Sequence, residues 1–309
     1  MATGLISVGP AIMRRHVKTM ADTYKINVAV SGSGGFVGSH LVCRLNELGA
    51  KVIEIDHRKG LDILNFEQIN TIGTFDILIH LAAKTFVPES YENPREFYFT
   101  NLIGTLNALE LCRLRKARMV YASSYIYGVP HYLPIDESHP VAGFNPYSGS
   151  KIASEQLCER YHHDHGLKIN ILRVFNIYGP HQNKKFLIPS IIEQAKKGKV
   201  VLKDATPKRD FVYIDDAVEA YIKSIQHDSN SLDIFNIGSG KSFSVKEIVA
   251  EVLQNFTEDI QVVFTGEERV NEVPDTIANR TKAQELLGWI PEFSLSEGIR
   301  NCVAAAKNR

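Results

Sequence analysis

Tyr147 and Lys151 stand four residues apart, directly behind Asn145-Pro146. Asparagine suits a helix N-cap and proline the first helical position, so the pair falls on the first turns of a helix and shares one face. An ammonium beside a phenol favours the phenolate and lowers a pKa that is ordinarily about 10. Such a tyrosine can move a proton to or from a hydroxyl near neutral pH. Ser123 and Ser124 end a strand-like run, where their hydroxyls can bond the same oxygen. Alone, a Tyr-x-x-x-Lys pair also fits an ordinary helix surface.

A second constellation gives the pair its meaning. Gly32, Gly35 and Gly38 lie in Ser31-Gly-Ser-Gly-Gly-Phe-Val-Gly, between a strand pattern and a helix pattern. Their tasks are a tight turn, close backbone approach to a pyrophosphate, and close packing of helix on strand. The first helical residues, Phe36 and Val37 among them, present N–H groups to phosphate. Asp56 closes the second strand about 20 residues on, where an acid accepts hydrogen bonds from the adenosine ribose. A carboxylate there repels a 2′-phosphate and favours NAD over NADP, a preference that the nearby Arg58 softens.

These groups need a scaffold. Val- and Ile-rich runs at 26–31, 51–55, 76–81, 118–123 and 168–174 alternate with helix-patterned stretches at 35–48, 94–116 and 146–166. Little polar alternation within the runs implies strands covered on both faces, hence an α/β chain with a doubly wound parallel sheet of Rossmann type. Helices are expected at 189–197, 215–226, 245–256, 282–287 and 295–306, with brief strands between. The expected organisation is a dinucleotide-binding domain over 25–175 and a smaller mixed α/β lobe over 176–309, from which some elements return to the sheet. A cleft between them would lie beyond the carboxyl ends of the strands.

Residues 1–24 carry Arg14, Arg15, His16 and Lys18 with no strong core pattern. A targeting segment would read this way; the simpler reading is an over-long start, with Met13 or Met20 as the initiator. Lys plus Arg and Asp plus Glu both number 35, so no global field favours nucleic acid or an anionic membrane. No apolar run reaches the roughly 18 residues that span a bilayer. The four cysteines read as thiols of a reducing cytoplasm. His162, His163, Asp164 and His165 crowd a helix end, where they complement the dipole, and no second ligand group at metal spacing accompanies them.

Several further segments complete a resemblance: His80-Leu-Ala-Ala, Asn101-x-x-Gly-Thr, Ser123-Ser-Tyr-Ile-Tyr-Gly, Arg173-Val-Phe-Asn-Ile-Tyr-Gly-Pro, Arg209-Asp-Phe-Val-Tyr-Ile-Asp-Asp and Leu287-Gly-Trp-Ile-Pro. In this order, with the glycine turn and Tyr147-Ser-Gly-Ser-Lys151, the chain resembles the NAD-dependent epimerase/dehydratase family from residue 25 onward. The resemblance implies Ser123, Tyr147 and Lys151 as catalytic residues, Lys151 also touching ribose. It places Asp62 and Ile63 at the adenine and Leu81, Ala82, Ala83 and Asn101 along the cofactor. It gives Asn176, Arg209 and Arg269 to a nucleotide sugar's diphosphate, and Thr85 and Tyr125, with Ser124, to its sugar. Dehydratases of this kind place Asp-Glu where Ser124 and Tyr125 stand, and decarboxylases keep the Glu, so both reactions are disfavoured. The expectation is an NAD-dependent nucleotide-sugar 4-epimerase acting as a cytoplasmic homodimer paired through helices 94–116 and 146–166. A 4-ketoreductase of a 4-keto-6-deoxy sugar nucleotide is the alternative, and a non-catalytic cofactor sensor or scaffold is the alternative of another kind.

Overall fold

Within Asn27–Ser31 the residues Val28, Ala29 and Val30 are all fully buried, as a strand covered on both faces requires. The computed structural model describes residues 26–267 and 272–307. The expected extension at 1–24, and Arg269, lie outside the described residues.

The strands are β1 (Asn27–Ser31), β2 (Lys51–Ile55), β3 (Ile77–His80), β4 (Arg118–Ser124), β5 (Ile169–Val174), β6 (Asn176–Tyr178), β7 (Lys199–Leu202), β8 (Lys208–Tyr213), β9 (Asp233–Ile237), β10 (Ser242–Ser244) and β11 (Gln261–Phe264). The α-helices are α1 (Phe36–Glu47), α2 (Phe66–Ile69), α3 (Val87–Glu92), α4 (Pro94–Tyr98), α5 (Gly104–Arg115), α6 (Pro146–His165), α7 (Leu187–Ala195), α8 (Ile214–Gln226), α9 (Val245–Leu253) and α10 (Leu295–Lys307).

Six parallel strands form the large sheet in the order β2-β1-β3-β4-β5-β9. The chain steps from β1 outward to β2, then back across β1 to β3. Strand order therefore reverses at β1 and β3, and a ligand crevice opens beyond their carboxyl ends. Alternate residues of β1 feed two cores: Val28 and Val30 meet Leu41, Leu45 and Ala217, while Ala29 meets Ile55, Leu109 and Cys158. The later residues build a three-stranded sheet, β10-β8-β6, and a two-stranded one, β11-β7, while β9 returns to the large sheet.

The stretch 94–116 departs from a simple helix. α4 and α5 are joined by a π-helical turn over Phe99–Ile103, and Lys116 closes the run at φ +52°. α6 matches its sequence signals: Asn145 Oδ1 accepts from Ser148 N at 2.8 Å, Pro146 opens the helix, and Gly166 closes it at φ +65°. At its end His162 Nδ1 meets the Leu167 carbonyl at 2.9 Å, so the histidine cluster finishes the helix. All four cysteines are free thiols, and only Cys43 is exposed. Among the described residues no helix is long and apolar enough to cross a membrane.

Candidate active site

The glycine turn ties the carboxyl ends of three strands together. Gly32, at φ +72°, donates its N–H to the Ile55 carbonyl at 2.8 Å, linking β1 to β2. A Cβ on Gly32 would stand 2.8 Å from Ala82 N, just past β3, and one on Gly38 only 2.1 Å from the Gly32 carbonyl oxygen. Gly35 caps α1 without any side-chain bond, so the amides of the first turn, Phe36 to Gly38, face the crevice uncapped by side chains. Close approach, a left-handed glycine and free helix-start amides fit a dinucleotide's pyrophosphate.

Asp56 sits at the end of β2, buried. Its carboxylate accepts from Gly34 N at 2.9 Å and from Arg58 N at 3.0 Å, and takes the Arg58 guanidinium as a fork, with Nε at 2.9 Å and Nη2 at 3.0 Å. The Arg58 bonds come first in holding the Asp56 carboxyl well below the usual carboxylate range. Asp62 and Ile63 follow in the loop before α2. Asp62 Oδ1 caps Leu64 N at 2.9 Å, and buried Ile63 accepts Asn107 Nδ2 at 2.8 Å through its carbonyl.

Beyond β3, Leu81 N bonds the Ser31 carbonyl at 3.1 Å, which sets the path of Ala82 and Ala83 along the crevice. His80 lies beneath, its Nδ1 at 2.6 Å from Ser31 Oγ and its Nε2 at 3.2 Å from Thr105 Oγ1. Thr105 gives its proton to the Asn101 carbonyl, so it accepts from His80 Nε2–H, and Nδ1 takes the Ser31 proton. Burial, then the Lys151 charge, lowers the His80 pKa to about 3, and the ring is neutral. Asn101 sits in the π turn, buried. It accepts from Lys84 N at 2.8 Å and donates to the Lys84 carbonyl at 3.1 Å and to Ser150 Oγ at 2.8 Å. One side chain thus fixes the strand loop, the π turn and α6 together.

Ser123 and Ser124 end β4, facing the start of α6. Ser123 Oγ is buried and has no hydrogen-bond partner among the described residues. Ser124 lies beside the Tyr147 phenol. Lys151 is buried, donates from Nζ to the Ala122 carbonyl at 2.7 Å, and lies 4.9 Å from the centre of the Tyr121 ring. Burial lowers its pKa to about 8 against the opposing charge of Glu155. The sequence placed this cation beside the phenol to lower its pKa. The protein by itself does otherwise: burial pushes the Tyr147 phenol up, with the Ser124 hydroxyl pulling the other way. The ammonium turns to the carbonyl and aromatic face that replace its water.

The expected sugar-nucleotide residues divide. Asn176 on β6 and Arg209 on β8 lie on paired strands; Asn176 stands opposite Phe211, and its Nδ2 donates to the Asp210 carbonyl at 3.0 Å. Arg209 is paired with Glu272 and donates to the Lys208 carbonyl at 2.7 Å; its charge also acts on the Tyr125 phenol at the end of β4. Tyr125 points its hydroxyl at the Gly128 carbonyl and packs its ring 5.3 Å from Phe175 and 5.7 Å from Tyr127. It acts as an aromatic wall, with its hydroxyl already used. Thr85 is exposed, and its neighbour Phe86 meets Phe186 edge-on at 5.6 Å, joining the loop after β3 to the segment before α7.

Two supports escaped the sequence reading. Buried Asp210 accepts from Ser239 N (2.6 Å), Ser239 Oγ (2.7 Å), Gly240 N (2.9 Å) and Ala278 N (3.0 Å), binding two distant segments beside Arg209. Glu155 and Arg173 form a buried ion pair at 2.6 Å, one helical turn beyond Lys151. An acid inside a strand and an acid four residues after Lys151 were the available signals; their partners lie too far along the chain to be inferred.

A doubly wound sheet with this glycine turn and a Ser-Tyr-Lys group at the crevice defines a short-chain dehydrogenase/reductase of the extended type. The model of the NAD dependent epimerase/dehydratase family matches residues 28–238, and the chain belongs to that family. It is an NAD-dependent enzyme of the nucleotide-sugar branch. A putative UDP-glucose 4-epimerase of Methanocaldococcus jannaschii is 33% identical over 91% of this chain and 98% of its own length. UDP-glucuronic acid decarboxylase 3 of Arabidopsis thaliana is also 33% identical, over 89% of this chain and 87% of its own. The structure of a Thermus thermophilus UDP-glucose 4-epimerase with NAD superposes with a TM-score of 0.82 at 29% identity, covering 91% of this chain and 99% of that one.

Proposed function

We propose that the protein is a nucleotide-sugar 4-epimerase. The observation that carries this reading is the end of β4: Ser123, Ser124 and Tyr125 bring hydroxyls and an aromatic wall to Tyr147 and no carboxylic acid. Elimination of water or loss of CO2 would call for an acid at one of these positions, and the decarboxylase relative is similar without deciding the reaction.

In this reading Tyr147 takes the proton of the sugar C4 hydroxyl and later returns it. Bound NAD supplies the acceptor and donor of the C4 hydride. Ser123, whose hydroxyl has no partner among the described residues, bonds the same C4 oxygen, and Ser124 orients the phenol. Lys151 holds positive charge beneath the site and touches the cofactor ribose. Asn176, Arg209 and Arg269 take the diphosphate, for which Arg209 exchanges Glu272 for phosphate oxygens. The 25–175 region serves the cofactor and the remainder mainly the substrate. Tyr98, Phe99 and Leu114, exposed along 94–115, support a homodimer through that face.

A second reading, a 4-ketoreductase, is favoured by the Arg58 fork, which neutralises Asp56 and suits NADPH. Incubating the purified protein with UDP-, GDP-, CDP- and dTDP-hexoses, without added cofactor, separates the two. An isobaric product of altered retention supports epimerisation. No conversion, followed by reduction of a 4-keto-6-deoxy sugar nucleotide with reduced cofactor, supports the reductase.

A further inference from the structure

The loop after β3 leaves the large sheet, whereas the segment before α7 follows β6 of the three-stranded sheet, and two phenylalanines meet between them. Phe86 is the N-cap residue of α3 and Phe186 that of α7, with their rings edge-on at 5.6 Å. Both rings are half-buried and stand outside the hydrophobic cores of the described residues, so core packing does not account for their contact. Lys185 joins them, its Nζ 5.4 Å from the centre of the Phe86 ring and 4.0 Å from a Glu89 carboxylate oxygen. The segment that carries Phe186 starts at the crevice, since a Cβ on Gly179 would stand 3.4 Å from the Phe36 ring at the glycine turn.

The two sides are anchored differently. On the β3 side Asn101 holds the Lys84 backbone, and Lys84 Nζ pairs with Glu89 at 3.5 Å and with Glu96. Lys84 also lies over the Phe97 ring, which meets Tyr147 edge-on at 6.5 Å, so this side is tied to the catalytic tyrosine. The other side folds on itself: Gln182 N bonds the Gly179 carbonyl at 3.4 Å, Lys185 N bonds Asn183 Oδ1 at 3.0 Å, and Phe186 N bonds the Asn183 carbonyl at 3.1 Å. The rings and the exposed ion pair that join the two sides can part and meet again while these backbone bonds persist.

We propose that Phe86, Phe186 and Lys185 form a clasp across the mouth of the crevice that keeps an oxidised 4-keto sugar in the site until its hydride is returned. This role rests on the 4-epimerase reading. There the C4 hydride passes to bound NAD and the hydroxyl proton to Tyr147, and the resulting ketone turns within the site to present its other face. A ketone that departs before the return leaves reduced cofactor and a protonated Tyr147 behind, with no sugar to take either back. The three residues are positioning residues: they act on the residence of the sugar and not on its bonds.

Hydrogen exchange tests the clasp, and stranded reduced cofactor tests its purpose. In Phe86→Ala the amides of 182–188, across the crevice, should exchange about 3- to 10-fold faster, the value of one aromatic pair. The double variant Phe86→Ala/Phe186→Ala should exchange no faster than Phe86→Ala, because the two rings act as a unit. With the nucleotide hexose that the native protein converts, Phe186→Ala should release free 4-keto sugar and leave reduced nicotinamide about 3- to 10-fold more often per turnover. Phe186→Tyr keeps the ring and should behave as native, and thermal unfolding verifies the fold of each variant. Unchanged exchange at 182–188 in Phe86→Ala, or a native ratio of epimer to free ketone in Phe186→Ala, would overturn the proposal. A native protein that converts none of the hexoses would overturn the epimerase reading and the retention role with it, while the exchange result decides the clasp by itself.

Discussion

Replacing Tyr121 with leucine should move the alkaline limb of activity, because the Tyr121 ring holds the charge of Lys151. The ammonium lies 4.9 Å from the ring centre and donates to the Ala122 carbonyl. A desolvated cation–π contact contributes about 2 kcal/mol to the charged form. At 1.36 kcal/mol per pKa unit, its loss lowers the Lys151 pKa by about 1.5 units, from about 8 to roughly 6.5. At pH 7.5 the protonated fraction then falls about eightfold, whereas at pH 6 it changes by less than about 1.5-fold. The assay is the pH dependence of kcat/KM for native, Tyr121→Leu and Tyr121→Phe proteins, with urea unfolding to verify the fold. Phenylalanine keeps the ring and should keep the native limb. A limb in the same place for leucine would refute the assignment of Tyr121 as the residue that positions this charge.

Glu155→Gln should destabilise the protein by about 3–5 kcal/mol in urea, since Arg173 would remain buried without its counter-charge; the Glu155→Met/Arg173→Met pair should cost less. Gly38→Ala drives a methyl to within 2.1 Å of the Gly32 carbonyl oxygen, so dinucleotide affinity should fall more than about tenfold and stability by about 1–3 kcal/mol, read by fluorescence titration and thermal unfolding. His80 titrates at about 3 in the folded protein. Between that value and its ordinary 6.5 the unfolded chain binds a proton that the fold does not, so stability is lost on acidification at up to ~1.4 kcal/mol per pH unit. Asp216, raised by burial to about 6, works against this trend. The readout is therefore the stability gap between native and His80→Gln, which should narrow from pH 6.5 to pH 4; a constant gap would show that His80 is charged within the fold.

The chemistry that is local in sequence was legible. The glycine turn, the Asn145-Pro146 helix start and the Gly166 stop depend on backbone rules within a few residues, and each stands where its residues imply. The run 94–116 reads as one helix because its apolar spacing is continuous. Its π turn arises instead from Asn101, which bonds the loop after β3 and Ser150 on α6, contacts that no local pattern shows. For the same reason Asp210, whose partners lie at 239, 240 and 278, reads as an ordinary acid in a motif. That the Tyr125 hydroxyl is committed to the Gly128 carbonyl was not legible, because the turn that brings Gly128 back to it is a matter of packing. The Lys151 charge was placed correctly on its helix face, yet its direction depended on Tyr121 and Ala122 of a strand whose packing only the fold reveals.

If Tyr147 and bound NAD invert C4 of a nucleotide sugar, the hydride never leaves the enzyme. The most direct measurement uses a nucleotide hexose carrying deuterium at C4, converted by native protein and by Tyr147→Phe, with product position and label read by NMR and mass spectrometry. The expected result is an isobaric C4 epimer with the deuterium still at C4, and a rate lower by about 10²–10⁴-fold in Tyr147→Phe. Deuterium lost to solvent, or a product lighter by water or CO2, would contradict it.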